Sequence, residues 1–455
     1  MDQALMARVL FGLTLAFHII FASLGVGLPF MILIAELLHL IKKDNDYLIM
    51  ASRWTKGFTV LLAVGITTGT TVALQLSLLW PKFMHLVGQV IALPFLIEIF
   101  AFFLEALFMS IYVYASHRIP SPWKMVSVAM VALGAALSAI LITDANAFMN
   151  TPQGFQMING NAIHIRPWQA FFNPSFPIKL FHVLVTAYMT VAFITASIAA
   201  FGLWKNKHSH SAIIKHQQKA LVVSLIIATM FSLLAAFSGD GSGKFIAAYQ
   251  PEKLAAGEGL FKSQMYAPFV YGGWPSGLQE KIVGGLQVPG LLSFLATGKF
   301  NGLVKGLYEY PRDTWPPLYI HFTFDAMITI GSLLLALGVF ALALSYLRNR
   351  QKKHLPRWML LVLIFAGPLS MAAIECGWVY AEVGRQPWIV YHVMRTQNAV
   401  TSASYMGLVF VLFILLFFLL AVGTIVVIRG HFKRHPLAEE FAITTTKAEK
   451  EGWQP

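Results

Sequence analysis

Apolar residues along this chain run in long blocks rather than in the alternation of half-buried strands. Nine blocks can be marked: 9–41, 57–79, 89–115, 124–148, 178–204, 218–238, 318–347, 359–382 and 399–428. A helix needs about 20 residues to cross a bilayer, and a segment in lipid must satisfy its own main-chain hydrogen bonds, so all nine are predicted to be helices. The expected fold class is an all-α integral membrane protein with nine transmembrane helices. The first block is too long for a signal-peptide core and is read as a retained helix. One connection, 239–317, is far longer than the others and rich in Gly and Pro, as in Tyr271-Gly-Gly-Trp-Pro-Ser-Gly277. It shows no strong helical period, and a loop of that length is expected to be functional. The predicted organisation is helices 1–6 in 1–238, an extracytoplasmic loop 239–317, helices 7–9 in 318–430 and a solvated cytoplasmic tail 431–455. No internal repeat suggests a transporter built from inverted halves.

Charge orients the bundle. The 455 residues are 57% hydrophobic and 12% charged, with a formal net charge of +13. In a soluble protein that excess would suggest nucleic acid; here the Lys and Arg sit in short loops between apolar blocks, where they set topology, and no nucleic-acid partner is expected. Of the 33 basic residues, 20 fall in one set of short segments (among them Lys42, Lys43, Lys219, Arg357 and Arg434) and 6 in the opposite set: Arg8, Lys82, Arg166, Lys179, Arg385 and Arg395. Cytoplasmic loops collect positive charge, which puts the N-terminus outside and the C-terminus in the cytoplasm. The single cysteine, Cys376, excludes an internal disulfide, and no Cys-x-x-Cys-His run is present for covalent haem attachment.

Within the apolar blocks lie groups that lipid should exclude: His18, Glu98, Glu105, His182, Glu375 and Glu382. At about 1.5 Å per residue, His18 and Met327 lie roughly 14 Å in from the outer ends of their helices and His182 roughly 6 Å. Glu382 ends its helix and Glu375 lies roughly 10 Å deeper, so the groups form a layer biased to the outer face. Residues seven apart return to nearly one helix face. Glu98 and Glu105 therefore share a stripe, as do Glu375 and Glu382 with Trp378 between them, and paired carboxylates suit a proton relay. A buried imidazole taken alone is more often a helix–helix hydrogen bonder than a haem ligand; Met327 alone reads as gap filling; His321 and Asp325, one turn apart, read as an interfacial pair. These residues by themselves leave open a proton-coupled transporter or channel.

The run Glu375-Cys-Gly-Trp-Val-Tyr-Ala-Glu382-Val-Gly-Arg385-Gln-Pro-Trp388 resembles the signature of subunit I of the cytochrome bd quinol oxidases, of the short quinol-loop branch. The resemblance continues at His18, at Glu98 to Glu105, at Ala145-Asn146-Ala-Phe-Met-Asn-Thr-Pro152, at Lys179-Leu-Phe-His182, at Gly239-Asp-Gly-Ser-Gly243 and at Lys253-Leu-Ala-Ala-Gly-Glu258. It implies a quinol:O2 oxidoreductase of aerobic electron transport in a bacterial plasma membrane. His182 and Met327 correspond to axial ligands of a low-spin haem b; His18 and Glu382 correspond to ligands of a second haem b and of a haem d or third haem b. Glu98 and Glu105 correspond to acids of the proton route, Ser138 and Asn146 to residues of the haem and proton region, Lys253 and Glu258 to quinol-contacting positions, and Trp378 and Arg385 to residues packed around the haems. A second membrane subunit (subunit II) and a small single-helix subunit are the implied partners, with quinol and O2 as substrates. The chain departs from the pattern at Asp325, where the family often has Arg, and at Ala106, where some members carry a hydroxyl.

Overall fold

The computed structural model describes residues 3–115, 118–205, 211–351, 353–401, 403 and 405–441. Among these are nine helices long and apolar enough to cross a membrane: α1 (Gln3–Lys42), α2 (Asn45–Leu79), α3 (Ala92–Ser110, continued by a π-turn Ile111–Ala115), α4 (Ser121–Asn150), α5 (Phe176–Lys205), α6 (Ser211–Tyr249), α7 (Ile320–Arg350), α8 (Arg357–Val383) and α9 (Met406–Arg434). Of the basic residues that orient the chain, Lys207, Lys352, Lys447 and Lys450 lie outside the described residues.

Short connections make sequential helices antiparallel neighbours. Asp44 caps α2 by accepting from the Asp46 amide at 3.0 Å, satisfying one of the donors a helix start leaves bare. Lys219 of α6 reaches both Asp44 and Asp46 and ties that end of the bundle together. Burial ranks the helices: 61% of the apolar stretch of α5 is enclosed by protein, against 6% for α9. α5 is therefore the central post, and α9 shows nearly all its side chains to whatever surrounds the chain. Helices come close where a side chain is missing. A Cβ on Gly27 would lie 2.3 Å from Val191 Cγ2, and one on Gly367 would lie 3.1 Å from Ile194 Cα, the small-residue contact by which helices associate in lipid.

The structure moves one boundary. The glycine-rich run at 239–243 reads as the start of the loop, but α6 continues to Tyr249. Ser242 Oγ donates to the Ser238 carbonyl at 2.8 Å and Lys244 pairs with Asp240 at 2.5 Å, contacts within one turn that sustain the helix through its glycines. The long connection thus begins at Gln250, and it is more ordered than its composition suggests. It holds the helix Pro251–Glu258, two nested antiparallel hairpins (Phe269–Tyr271 with Leu286–Val288, Trp274–Ser276 with Lys281–Val283) and the helix Leu291–Thr297. Gly259 ends the first of these helices at φ +62°, with no room for a Cβ against Ile282. A smaller hairpin, Trp388–Val390 with Met394–Arg395, follows α8 at the same end of the bundle, the loop end. The start of the tail is docked rather than solvated: Glu440 pairs with Arg53 at 3.1 Å and Lys56 at 2.9 Å, and the Phe441 ring meets His216 edge-on.

Candidate functional site

α5 packs on α6 and α8, and α7 packs on the same two helices, while α5 and α7 barely touch. His182 of α5 lies against α6, and Met327 of α7 lies against α8. Both α6 and α8 carry glycine where the side chains come closest: a Cβ on Gly239 would lie 3.9 Å from His182 Cε1, and one on Gly377 would lie 3.0 Å from Met327 Sδ. His182 Nδ1 is 2.8 Å from Ser238 Oγ. That hydroxyl also lies 3.1 Å from the Ala235 carbonyl; donating there, it accepts from Nδ1–H and leaves the lone pair on Nε2.

His18 repeats this arrangement between α1 and α2. Its Nδ1 is 2.9 Å from Thr68 Oγ1, whose proton goes to the Val64 and Gly65 carbonyls, both at 3.0 Å. Gly69 opens the wall beside it, with a Cβ there only 3.3 Å from the His18 Cε1. Both imidazoles thus present an Nε2 lone pair and are held through Nδ1, as metal-ligating histidines are.

At the loop end, Glu382 closes α8 beneath a group of cations. Arg385 Nη2 donates to Glu382 Oε2 at 2.6 Å, Asn146 of α4 donates to Oε1, and Lys179 of α5 donates to the Asn146 oxygen. Lys253, from the helix Pro251–Glu258, is buried and donates to the Ala381 carbonyl at 2.8 Å. Burial, with Lys179 and Arg385 nearby, pushes its ammonium well below the usual lysine range. Three cations face one carboxylate, and Arg385 Nε and Nη1 are buried without a partner. A buried guanidinium with N–H groups left over beyond its one carboxylate bond has donors for a further acceptor. Haem fits this chemistry: the imidazoles, thioether and carboxylate would hold iron, and the cations would meet propionates.

The remaining acids fall in three further places. Ser138 of α4 donates to Glu98 Oε1 at 2.7 Å, and Glu105, one stripe position along α3, is buried where α4 presents Gly134. Glu375 Oε1 is buried without a partner, and Trp378 stands half-buried on the same helix. At the junction of loop and α7, Glu258 is buried with Oε2 unpartnered. Burial, reinforced by Asp325, pushes its carboxyl well above the usual range. His321 and Asp325 do lie together, 3.4 Å apart, and both are buried. The His321 ring nitrogens face the Gly257 carbonyl at 2.7 Å and the Gly272 carbonyl at 3.1 Å, and Asp325 Oδ2 accepts from the Gly272 amide at 2.6 Å. Asp325 is thus turned to the loop hairpin, pinning it to α7. Lys253 and Glu258 share one short helix but address different neighbours, the end of α8 and the start of α7. Sequence reasoning missed Thr68 and Ser238, and gave Lys179 no role beyond a loop charge and a place in the run leading to His182; the one signal for Thr68 was the polar run Thr67-Thr68-Gly-Thr-Thr71 inside an apolar block.

A membrane-spanning helical bundle that presents free imidazole lone pairs, a thioether and a carboxylate beside surplus cations is a haem-carrying redox protein by class. The family described as cytochrome bd terminal oxidase subunit I matches residues 6–436, and the chain belongs to that family. It is 46% identical, over 97% of its own length and 99% of the other's, to a Bacillus subtilis (strain 168) protein provisionally named as a cytochrome bd menaquinol oxidase subunit I. It is 31% identical, over 94% of its length and 92% of the other's, to a cytochrome bd ubiquinol oxidase subunit 1 of the same organism. The solved bd oxidase of Geobacillus thermodenitrificans superposes with a TM-score of 0.90 at 44% identity, covering 96% of this chain and 99% of that one. The protein is therefore a haem-dependent quinol oxidase subunit of a bacterial membrane.

Proposed function

We propose that the chain reduces O2 to water with electrons from two quinols oxidised at the loop end, which faces outward, and that it builds a proton-motive force without pumping. His182 and Met327 would hold a six-coordinate low-spin haem b, while His18 and Glu382 would each hold one of two further haems, a b and a d or third b. Haem bound there supplies electron transfer and an open position for O2. Ser238 and Thr68 fix the imidazole tautomers, and Arg385, Lys179 and Lys253 balance the propionates. The loop from Gln250 to Tyr319 serves as the quinol element. Glu258, held at the loop junction, takes the quinol proton as general base and releases it outside. Glu98 and Glu105 deliver protons from the cytoplasm, so charge is separated across the membrane by where protons leave and enter. The relatives are named for menaquinol and ubiquinol respectively, and quinol is the substrate class proposed here. A subunit II and a small single-helix subunit complete the assembly, against apolar faces such as that of α9.

The observation that carries this reading is two histidines each held through Nδ1 by a hydroxyl, in the same bundle as a buried guanidinium whose Nε and Nη1 have no partner. A reduced-minus-oxidised spectrum of the purified complex, with and without CO, tests it. Low-spin b bands plus a CO-sensitive component are expected, with oxygen uptake on adding reduced quinone. His182→Ala should remove the low-spin signal and leave the CO-binding one; a low-spin signal that persists sinks the assignment, and a colourless complex sinks the whole reading in favour of transport.

A further inference from the structure

Of the acids inside the nine long helices, Glu36 stands apart from the groups described above. It lies in α1, about 9 Å from that helix's far end at Lys42, and is only 5% exposed. Tyr112, equally buried, donates its hydroxyl to Glu36 Oε1 at 2.5 Å, and Lys124 Nζ lies 2.6 Å from the same oxygen. Lys124 also sits 5.5 Å over the Tyr112 ring and keeps 21% of its side chain in contact with solvent. A glutamate at this depth beneath a partly wet lysine is in touch with water at the end of the bundle opposite the loop.

Tyr112 also continues a line. Glu98, Glu105 and Tyr112 are seven apart in succession, so the stripe that carries both acids runs on to the tyrosine. The facing helix keeps step: Ser138 meets Glu98, Gly134 meets Glu105, and Lys124 meets Tyr112. Tyr112 is presented by a π-turn, the only one among the described residues. Such single turns recur at functional sites because they shift a side chain out of α register. Between Tyr112 and Glu105 lies a gap of about 10 Å, occupied on this stripe by Met109, whose flexible side chain can give way to water.

We infer that Glu36, Tyr112 and Lys124 form the cytoplasmic mouth of the proton route, passing protons along the α3 stripe to Glu105. The inference rests on the oxidase reading above and adds its entrance. In the step, Glu36 takes a proton from water beside Lys124. Protonated Glu36 then donates to the Tyr112 oxygen as the Tyr112 hydroxyl turns and gives its own proton to water in the Met109 gap. The tyrosine ends as it began, and no electron moves. Met109 keeps the gap dry between transfers, which prevents leakage of the gradient.

The test uses the whole complex in liposomes, reduced and then mixed with O2, while a pH dye in the cytoplasm-facing compartment follows proton uptake and the haem bands follow electron transfer. Tyr112→Phe removes one oxygen atom and should slow proton uptake by at least about tenfold, with haem content, the low-spin spectrum and the CO difference spectrum unchanged. Glu36→Gln should do the same, and Glu36→Asp should recover part of the rate. Uptake within about twofold of wild type in Tyr112→Phe overturns the inference while leaving the oxidase standing. Failure of the oxidase reading is seen separately, as wild-type protein that takes up no oxygen.

Discussion

At the residue scale the site depends on hydroxyls that hold imidazoles. Ser238 accepts from His182 and passes its proton to the main chain; without it, His182 Nδ1–H has no buried partner and the ring is free to turn. Ser238→Ala is expected to weaken low-spin haem retention by roughly 10–100-fold, the usual effect of losing a residue that orients a metal ligand. Ser238→Thr should restore it, and the low-spin band per mole of protein is the measurement. Glu258 gives a pH prediction whose sign follows from its direction of shift. Its folded carboxyl binds a proton more tightly than in the unfolded chain, so above the ordinary carboxylate range the folded state carries the extra proton and stability falls as pH rises. Glu258→Gln should flatten this loss. Hydrogen exchange of the helix Pro251–Glu258, compared between about pH 6 and 9 in both proteins, reads it; equal pH dependence in the two would refute the claim.

At the element scale, close helix contacts rather than long apolar runs decide how the bundle packs. Gly27 lets α1 lie against α5: an added Cβ would meet Val191 Cγ2 at 2.3 Å, Val191 Cβ at 2.6 Å and the Ala187 carbonyl oxygen at 3.1 Å, and only the first of these can move readily. Gly27→Ala should cost about 1–3 kcal/mol by overpacking. Gly12 in the same helix has nothing within 4 Å of its missing Cβ, and Gly12→Ala should gain up to about 1 kcal/mol from helix propensity. Thermal unfolding of the two variants, moving in opposite directions, checks the pair. The same contrast explains what was legible. All nine helices follow from apolar runs, since a lipid-spanning segment has few other options. The end of α6 does not, because Gly239, Gly241 and Gly243 read as a loop until the Asp240–Lys244 and Ser238–Ser242 contacts are seen. His18 and His182 stand out as polar intruders, but Thr68 does not: Thr59, Thr67, Thr70 and Thr71 make the same bond to their own helix, and nothing in spacing marks which of them also meets a histidine.

At the scale of the whole molecule, orientation is the property on which the proton economy rests, and it follows from an asymmetry of charge. The far end of the bundle gathers Lys42, Lys43, Arg53, Lys56, Lys219 and Arg357, balanced locally by Asp44, Asp46 and Glu440, whereas the short segments of the loop end carry few cations, two of which stand beside Glu382. Arg385 is buried and Lys179 half-buried around Glu382, and Arg395 pairs with Asp313 at 2.6 Å. The excess of positive charge in short segments thus lies at the far end, the end that the positive-inside rule would place in the cytoplasm. Leu278 gives direct access to this question. It sits in the turn of the inner loop hairpin and is 100% exposed, so Leu278→Cys disturbs no packing. The native Cys376 lies within α8, away from bulk water, and supplies the background. A membrane-impermeant maleimide should label Leu278→Cys in right-side-out vesicles and fail to label it in inverted ones, with wild type unlabelled in both. Labelling only in inverted vesicles would reverse the bundle, put the loop and its Glu258 on the cytoplasmic side, and remove the charge separation proposed above.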